Sequence, residues 1–299
     1  MYKKTSQDLV SVIVLTWNRK EDTLFTIGKI KESTHAEREI IVVDNASGDG
    51  TDLAVAQAHP DVRYLRLGKN IGIGGYNHGL EIASGEFVVF LDSDSYPDRY
   101  AIGKMIEAFR AHPEMGVVAF DVRNAELEDT RRCPDAPEHG PPVGTDVGSY
   151  NGAGVGIRRE CLERAGDLFA PLFLYFNEYD HSFRIWESGY RIKHFPSIVA
   201  YHKSSPSGRT STRAPYFYAR NMLWILWRYY PLRHLLPALF YFFYYAVLFS
   251  LCQKTPIYLK ASLDALSQFP LIWKHRQTVS PKTLEITRLP LKWAFMSYG

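Results

Sequence analysis

Residues 10–45 have the sequence VSVIVLTWNRKEDTLFTIGKIKESTHAEREIIVVDN, and this stretch decides the fold. Its first and last segments are short runs of β-branched residues, and each run ends in polar side chains. The segment between them, residues 22–33, has the length and polarity of a helix that crosses from one strand to the next. Because strand, crossover helix and strand form a βαβ unit, the stretch predicts an α/β fold with a parallel sheet.

The same alternation continues along the chain. Two more β-branched runs, VRYLRL and EFVVFLD, end at Leu67 and Asp92. Helical patterns at residues 51–59 and 74–83 follow the second and third runs. The sequence therefore predicts a mostly parallel sheet flanked by helices. Residues 126–149 are rich in Pro, Gly and charge, which is typical of a long loop.

The composition is that of a globular protein. Of 299 residues, 46% are hydrophobic and 22% are charged, and the formal net charge is only +3. So small a charge argues against a nucleic-acid binder. Cys133, Cys161 and Cys252 are an odd number of cysteines without paired spacing, which favours a reducing compartment. The apolar run before Thr16 is too short for a secretory signal, so the sequence predicts a cytoplasmic protein.

Polar side chains follow each of the first four predicted strands. Ligands of open α/β sheets bind outside the carboxyl ends of the strands, so one nucleotide can contact residues from all four junctions. Taken singly, each of these residues is better explained as an ordinary polar loop residue, but four consecutive junctions make that explanation weak. The residues are Thr16, Asn18 and Arg19, then Asp44 and Asn45, then Asn70, and finally Asp92, Ser93 and Asp94.

Three of these carboxylates permit a more specific interpretation. Asp44 closes an apolar strand, where it can accept hydrogen bonds from a base or ribose, or cap the helix that follows. Asp92 and Asp94 lie two residues apart after a buried strand. Oxygen ligands suit a hard divalent cation that neutralises a diphosphate, so this pair predicts a metal site. The alternative is a capped turn before Pro97.

Five segments in a fixed order resemble the family 2 glycosyltransferases, which are inverting enzymes of the GT-A fold. They are VSVIVLTWNR, EIIVVDNASGDGT, KNIGIGGYNHGLEIASGEFVVFLDSD, NGAGVGIRRE, and FNEYDHSFRIWESGYRI with the later VAYHK. The resemblance covers roughly the first 220 residues. It implies a Rossmann-like GT-A domain at residues 1–215. From residue 216 onward the sequence changes to long aromatic-rich segments, which predicts a helical, membrane-associated region at 216–299. A narrower likeness is to bacterial rhamnosyl- and galactofuranosyltransferases of cell-surface polysaccharide biosynthesis.

The resemblance also implies roles for the strand-end residues. Thr16, Asn18 and Arg19 would border the nucleotide, Asp44 would meet its base, and Asn70 would line the donor pocket. Asp92, with Ser93 beside it, would approach the ribose. Asp94 would hold Mg²⁺ or Mn²⁺ on the two phosphates, and His202 falls where the family often supplies a further metal ligand.

A further carboxylate is needed because a hydroxyl acceptor is a poor nucleophile without a general base. The resemblance places Glu178 at the base position, with Asp180 two residues later as the second catalytic candidate. Alternatively, both carboxylates cap or pair within the following helix, where Arg184 lies four residues after Asp180. Many relatives have an acidic residue where this chain has Asn177. The motif alone therefore does not decide how the catalytic roles are divided between Glu178 and Asp180.

Two later segments have candidate roles as well. Arg209 lies in a loop rich in Ser, Gly and Arg, which either closes over the diphosphate as a lid or is an ordinary solvated loop. Tyr218, Arg220 and Asn221 begin a helix that faces the site in the family pattern, where they would help to bind phosphate.

Residues 235–252, LLPALFYFFYYAVLFSLC, contain no formal charge and are flanked by Arg233 and Lys254. Their length is at the lower limit for crossing a bilayer, and tyrosines with flanking cations suit a helix at the membrane surface. Three alternatives remain open here: a helix lying on the membrane, a single span, or a buried helix.

Together these features predict a hexosyl-transferring, inverting glycosyltransferase. The donor would be a UDP- or dTDP-sugar and the acceptor a glycan or lipid-linked glycan, with the enzyme at the inner face of the plasma membrane. One alternative is a non-catalytic module that binds nucleotide sugars or glycans. Another is a nicotinamide-dependent oxidoreductase, suggested by the glycines at 72–79, but Asn77 stands where its Gly-x-Gly-x-x-Gly motif needs glycine. The sequence contains no clear signal for an oligomeric state.

Overall fold

The computed structural model describes residues 6–127, 143–203 and 212–295. Within these residues one mixed sheet is flanked by helices. Its strands are β1 (Ser6–Thr16), β2 (Arg38–Asp44), β3 (Arg63–Arg66), β4 (Gly85–Asp92), β5 (Ser95–Pro97), β6 (Met115–Asn124), β7 (Thr145–Asp146), β8 (Val155–Arg158) and β9 (Arg191–His202). The helices of the sheet domain are α1 (Lys20–Lys31), α2 (Thr51–Ala58), α3 (Gly75–Ile82), α4 (Ala101–Ala111), α5 (Arg159–Ala165) and α6 (Asn177–Glu187).

The first half of the sheet is parallel, with the strands in the order β3, β2, β1 and β4. Thr16 lies opposite Asp44 in the register of β1 with β2, and Leu15 lies opposite Asp92 in the register of β1 with β4. The polar ends of these strands therefore meet at one edge. The strands and helices predicted for this half are present, with boundaries that differ by a few residues.

The second half of the sheet mixes directions. β8 is antiparallel to both β4 and β6, whereas β6 and β9 are parallel. The register between β6 and β9 shifts after Phe195. Phe120 of β6 pairs with Phe195, but the next residue, Asp121, pairs with Val199. An irregularity of this kind bends a strand. The last residues of β9 pair with β5 in the antiparallel sense.

Alternating residues of the central strands face two hydrophobic cores. Val12 and Val14 of β1 pack with α1 and α4 on one face, whereas Ile13 packs with α3 and α5 on the other. This burial on both faces explains why the central strands are almost continuously apolar in sequence.

The remaining helices form a third core. They are α7 (Arg213–Tyr229), α8 (Leu232–Cys252), α9 (Ile257–Ser267), α10 (Phe269–Lys274) and α11 (Pro281–Ile286). Trp224, Phe242 and Tyr258 are buried among them. The Phe183 ring of α6 stacks on Tyr229 of α7, with ring centroids 4.8 Å apart. The C-terminal helices therefore pack directly on the sheet domain, and the division at residue 215 stays a prediction.

Candidate functional site

The carboxyl end of β4 places two carboxylates at the edge of the sheet. β4 ends at Asp92, and the N–H of Ser93 extends its pairing by donating to the carbonyl of Leu15 at 3.1 Å. Asp94 lies in the short link before β5 and is buried. Asp92 is partly exposed. The two carboxylates thus differ in exposure, since Asp94 is buried and Asp92 is accessible.

The end of β9 places His202 beside the carboxylates that follow β4. Ser95 pairs with His202 across β5 and β9, and the N–H of Lys203 donates to the carbonyl of Asp94 at 2.8 Å. The Nε2 atom of His202 lies 3.3 Å from Oδ1 of Asp94. The pairing of β5 with β9 therefore brings His202 close to Asp94, although the two residues are far apart in sequence.

Charges around Asp94 keep it ionised. Burial alone would raise the pKa of its carboxyl, but the hydrogen bond and charge of His202, with the charge of Arg19, lower that pKa overall. Nη1 of Arg19 lies 3.3 Å from Oδ2 of Asp94. The side chain of Asp94 is thus anionic at neutral pH.

Asp92 accepts a hydrogen bond that sequence reasoning did not anticipate. The hydroxyl of Tyr76, in α3, donates to Oδ1 of Asp92 at 3.2 Å. Burial raises the pKa of Tyr76 well above its ordinary value, and the charge of Asp92 acts in the same direction. Tyr76 therefore stays protonated and orients Asp92. Its position within the GGYNHG segment contained no separate sequence signal for this contact.

Asp92, Asp94 and His202 fit a divalent cation. One potential ligand atom from each residue lies within 4.8 Å of the others. Ligands held at about 2.1 Å from Mg²⁺ lie at most about 4.2 Å apart, so adjustments of a few tenths of an ångström suffice. Two carboxylates with one imidazole are a donor set that also suits Mn²⁺.

Glu178 lies in the first turn of α6 and interacts electrostatically with Asp92. Burial raises the pKa of its carboxyl to about 7, the charge of Asp92 adds to this effect, and a hydrogen bond from the N–H of Gly152 opposes it. A Cβ atom on Gly152 would lie 2.7 Å from Oε1 of Glu178, so a larger residue at position 152 would require this carboxylate to shift. Glu178 is therefore a carboxyl that exchanges a proton near neutral pH.

The loop before α6 holds Glu178 through an unusual backbone. Phe173, Tyr175 and Phe176 have φ angles of 62°, 64° and 61°, a region that costs non-glycine residues free energy. Asn221 of α7 compensates, because its side-chain N–H₂ lies within 2.7–3.1 Å of the carbonyls of Leu172, Leu174 and Tyr175.

Arg220 and Asn221 therefore act on the protein backbone in this structure, where sequence reasoning anticipated a phosphate. Nη2 of Arg220 donates to the carbonyl of Leu172 at 2.7 Å. Tyr218 packs on Tyr175 of the same loop, with ring centroids 4.6 Å apart. Arg209 lies outside the described residues.

Asp180 is not brought to the cluster. Successive helical residues are about 100° apart, so Asp180 and Glu178 point to different sides of α6. Asp180 is fully buried, where it pairs with Arg184 at 3.0 Å and with Arg228, and accepts from the hydroxyl of Tyr229 at 2.9 Å. These contacts connect α6 to α7, which matches the ion-pair alternative given by the sequence.

The other strand-end residues build the loops of the same edge. Both oxygens of the buried Asp44 carboxylate accept hydrogen bonds within the protein, one from Ser47 and one from Tyr64 at 2.7 Å. Oδ1 of Asn18 accepts from the N–H of Gly48 at 2.7 Å, which ties the loop after β1 to the loop after β2.

Thr16, Asn70 and Ser93 have local partners too. The hydroxyl of Thr16 hydrogen-bonds with Thr23 at 2.7 Å, and Oδ1 of Asn70 accepts from the N–H of Gly72 at 2.9 Å. The carbonyl of Ser93 accepts from the hydroxyl of Thr26 at 2.9 Å. A nucleotide at this edge would therefore meet preformed loops.

Comparison with known proteins identifies the family of this chain. The profile of the family described as Glycosyl transferase family 2 matches residues 11–179, more than half of the chain. The chain belongs to glycosyltransferase family 2. The match includes the strand-end carboxylates and Glu178 but stops before His202. Membership of this family argues against the nicotinamide-dependent oxidoreductase.

Individual relatives agree with this assignment. An uncharacterized glycosyltransferase of Nostoc sp. is 27% identical over 172 residues, 52% of each chain. An N-acetylglucosaminyl-diphospho-decaprenol L-rhamnosyltransferase of Mycobacterium tuberculosis is 21% identical over 241 residues, 68% of this chain and 78% of that one. The chain thus spans about half the length of the first of these relatives.

A solved structure supports the fold. The mannosyltransferase PcManGT from Pyrobaculum calidifontis, in complex with GDP-Man and Mn²⁺, matches with a TM-score of 0.55 and 23% identity, covering 76% of this chain and 66% of that one. The predicted GT-A fold, an α/β sheet with a C-terminal helical region, is confirmed. The family predicted from the motifs is confirmed as well.

Proposed function

We propose that this family 2 glycosyltransferase moves a sugar from a nucleotide diphosphate to a hydroxyl acceptor by a single displacement, with Glu178 as the general base. The observation that carries this proposal is a partly buried carboxyl with a pKa of about 7, which interacts electrostatically with Asp92 of the Asp92, Asp94 and His202 cluster. A carboxyl with this pKa is half ionised at neutral pH, where it both accepts and releases protons readily.

Glu178 takes the proton of the acceptor hydroxyl as that oxygen attacks the anomeric carbon from the side opposite the diphosphate. One displacement of this kind inverts the configuration of the sugar. Asn221 and the Gly152 N–H position the carboxyl for this step. Asp180 is assigned to stability, because its oxygens are engaged by Arg184, Arg228 and Tyr229.

Asp92, Asp94 and His202 would hold Mg²⁺ or Mn²⁺. When bound, the cation supplies positive charge next to the donor diphosphate. Arg19 adds a fixed positive charge beside Asp94, and Tyr76 keeps Asp92 oriented toward the same space. The likeness to a structure that contains GDP-Man and Mn²⁺ is consistent with this assignment of the pocket.

We further propose a hexose donor linked to UDP or dTDP, bound along the loops of Thr16, Asn18, Asn70 and Ser93. Asp44 would meet the base with a carboxylate that already accepts hydrogen bonds from Ser47 and Tyr64. The acceptor would be a glycan or lipid-linked glycan at the inner face of the plasma membrane. The name of the mycobacterial relative, which includes a diphospho-decaprenol acceptor, supports this class.

A panel of nucleotide sugars tests the proposal, because a ligand that binds only the native state raises its unfolding temperature. We expect one sugar to stabilise the protein in the presence of Mn²⁺ or Mg²⁺ and to be transferred to an acceptor glycan. A chelator should abolish transfer, and turnover that survives metal removal would refute the metal assignment. Stabilisation without transfer to any acceptor would instead indicate the non-catalytic binding module.

A further inference from the structure

The C-terminal helices leave a large apolar surface uncovered within the described residues. Leu236, Phe240 and Leu251 of α8 are 67%, 69% and 72% exposed, and Leu263 of α9 is 66% exposed. Single exposed apolar residues are ordinary, but contiguous patches mark sites that bind another molecule or a membrane. We define the apolar face as Leu236, Phe240, Val247 and Leu251 of α8 with Leu259 and Leu263 of α9.

This exposure results from how the helices pack. Leu235, Phe242 and Ala246 of α8 are buried in the third core, as are Tyr258 and Ala261 of α9. The buried stripe of α8 runs from its first turn to its last, because Ser250 is buried too. Both helices therefore turn one side toward a common core and direct the apolar face away from it.

The charge of this region differs from that of the rest of the chain. Residues 232–299 contain eight Lys or Arg and two Asp or Glu, a net charge of +6, whereas residues 1–231 carry a net charge of −3. Lys254, Lys260 and Lys274 are exposed around the helices. One of the two acids, Asp264, accepts a hydrogen bond from Tyr216. The part of the chain that contains the apolar face is thus positively charged, and exposed lysines lie close in sequence to Leu251 and Leu259.

We propose that the apolar face docks on the surface of an anionic bilayer, with α8 parallel to the membrane plane. Apolar side chains enter the acyl boundary while flanking lysines meet anionic headgroups. Exposed Tyr241, Tyr244 and Trp273 suit the headgroup layer. A second copy of this chain fits less well, since it would bring two positive surfaces together.

The packing of α8 decides between lying on the membrane and crossing it. Among the described residues, α8 is the one helix long and apolar enough to span a bilayer, with a mean hydropathy of 1.9. However, it packs along its whole length on neighbours that include Tyr258 of α9 and the 3₁₀ segment Leu291–Phe295. Spanning would draw the charges of Lys260 and Lys292 and irregular backbone into hydrocarbon, which is unfavourable.

Vesicle binding tests this docking independently of catalysis, so it can fail while the proposed function holds, and the reverse. We expect the full chain to co-sediment with vesicles containing phosphatidylglycerol and much less with pure phosphatidylcholine. The triple variant Leu236→Gln, Phe240→Gln, Leu263→Gln should lower the partition coefficient by at least about tenfold. Its side chains are exposed, so its unfolding temperature should stay unchanged. Leu53→Gln, at a residue 68% exposed on α2, is the matched control and should bind as the parent does.

Spin labels measure how α8 lies in the bilayer. Cys252 and Cys133 are replaced by serine so that they do not react with the label. Cys161 is left in place, because it is buried and burial raises the pKa of its thiol to about 12. Labels at Phe240→Cys and Leu251→Cys share one side of α8 and are about 16 Å apart along its axis. We expect equal depths for the two labels.

Three results would overturn the docking proposal. A depth difference of about 16 Å between the labels would show a spanning helix instead. Equal binding of the triple variant would exclude the apolar face. Dimerisation without vesicles in sedimentation velocity, abolished by the triple variant and combined with no vesicle binding, would assign the apolar face to a second copy of this chain.

Discussion

Replacing Glu178 by glutamine keeps the size of the side chain but removes the base. General-base catalysis contributes about 100- to 10,000-fold to rates, so we expect kcat to fall by that factor. Because the base acts on the acceptor, the Kd of the donor nucleotide sugar should change by less than about twofold. Transfer assays measure the first quantity and titration calorimetry the second.

The pH profile of the parent enzyme gives the same residue a second signature. Only the ionised carboxylate accepts a proton, so activity should rise with pH through the pKa of about 7. One unit below that pKa, about one tenth of the maximal rate remains. A cation on Asp92 offsets the charge that contributes to the shift, so in the metal-loaded enzyme the rise should lie at or below about pH 7.

As pH rises, the stability of the fold should fall while activity rises. The folded-state pKa of Glu178, about 7, lies above the ordinary value of 4.5, so its contribution to stability is complete below 4.5 and is lost as pH rises through 7. The shift of about 2.5 units corresponds to up to about 3 kcal/mol. Glu178→Gln should therefore be more stable than the parent at pH 8, with most of the difference gone by pH 5.

Glu163→Gln serves as the control, because Glu163 is exposed on α5 and should leave both activity and stability unchanged. Equal losses of transfer and donor affinity in Glu178→Gln would refute the assignment of the base. So would a parent rate that stays flat between pH 5 and pH 8. An unchanged unfolding temperature at pH 8 would contradict the raised pKa itself.

Three further substitutions separate metal binding, positioning and stability. Asp94→Asn should weaken metal-dependent donor binding by at least about tenfold in calorimetry, and an unchanged affinity would remove Asp94 from the metal site. Gly152→Ala places a Cβ 2.7 Å from the Glu178 carboxylate, so kcat should fall with donor affinity retained; unchanged kcat would show that Glu178 moves freely. Asp180→Asn leaves Arg184 and Arg228 buried without a countercharge and should cost about 3–5 kcal/mol in urea unfolding, whereas a loss of activity at full stability would restore its catalytic role.

Local sequence patterns predicted the parallel half of the sheet well. In β1, β2 and β4, β-branched runs end in polar residues, and burial on both faces leaves little freedom in how such strands pack. The group formed by Asp92 and Asp94 followed from the end of one strand. His202 required a family resemblance, because its position depends on the bend of β9 and on pairing with distant β5.

Other features could not be predicted because they depend on tertiary contacts. The opposite orientations of Glu178 and Asp180 follow from helical geometry, but only the arrival of Arg228 and Tyr229 shows which side of α6 is the core. The contacts of Asn221 are with backbone carbonyls, which have no signature in the sequence. In α8 nearly every residue is apolar, so its buried stripe is selected by α7 and α9 rather than by its own pattern.

We expect the site to form late in folding, because it depends on the pairing of Ser95 with His202. Contacts between residues far apart in sequence form slowly, because the intervening chain must first be ordered. Asp92 and Asp94 would emerge early during synthesis, but they gain their imidazole neighbour only when β9 has closed against β5. A nascent chain that ends before His202 would therefore bind the cation weakly. High-affinity metal uptake would thus mark the moment at which the second half of the sheet is complete.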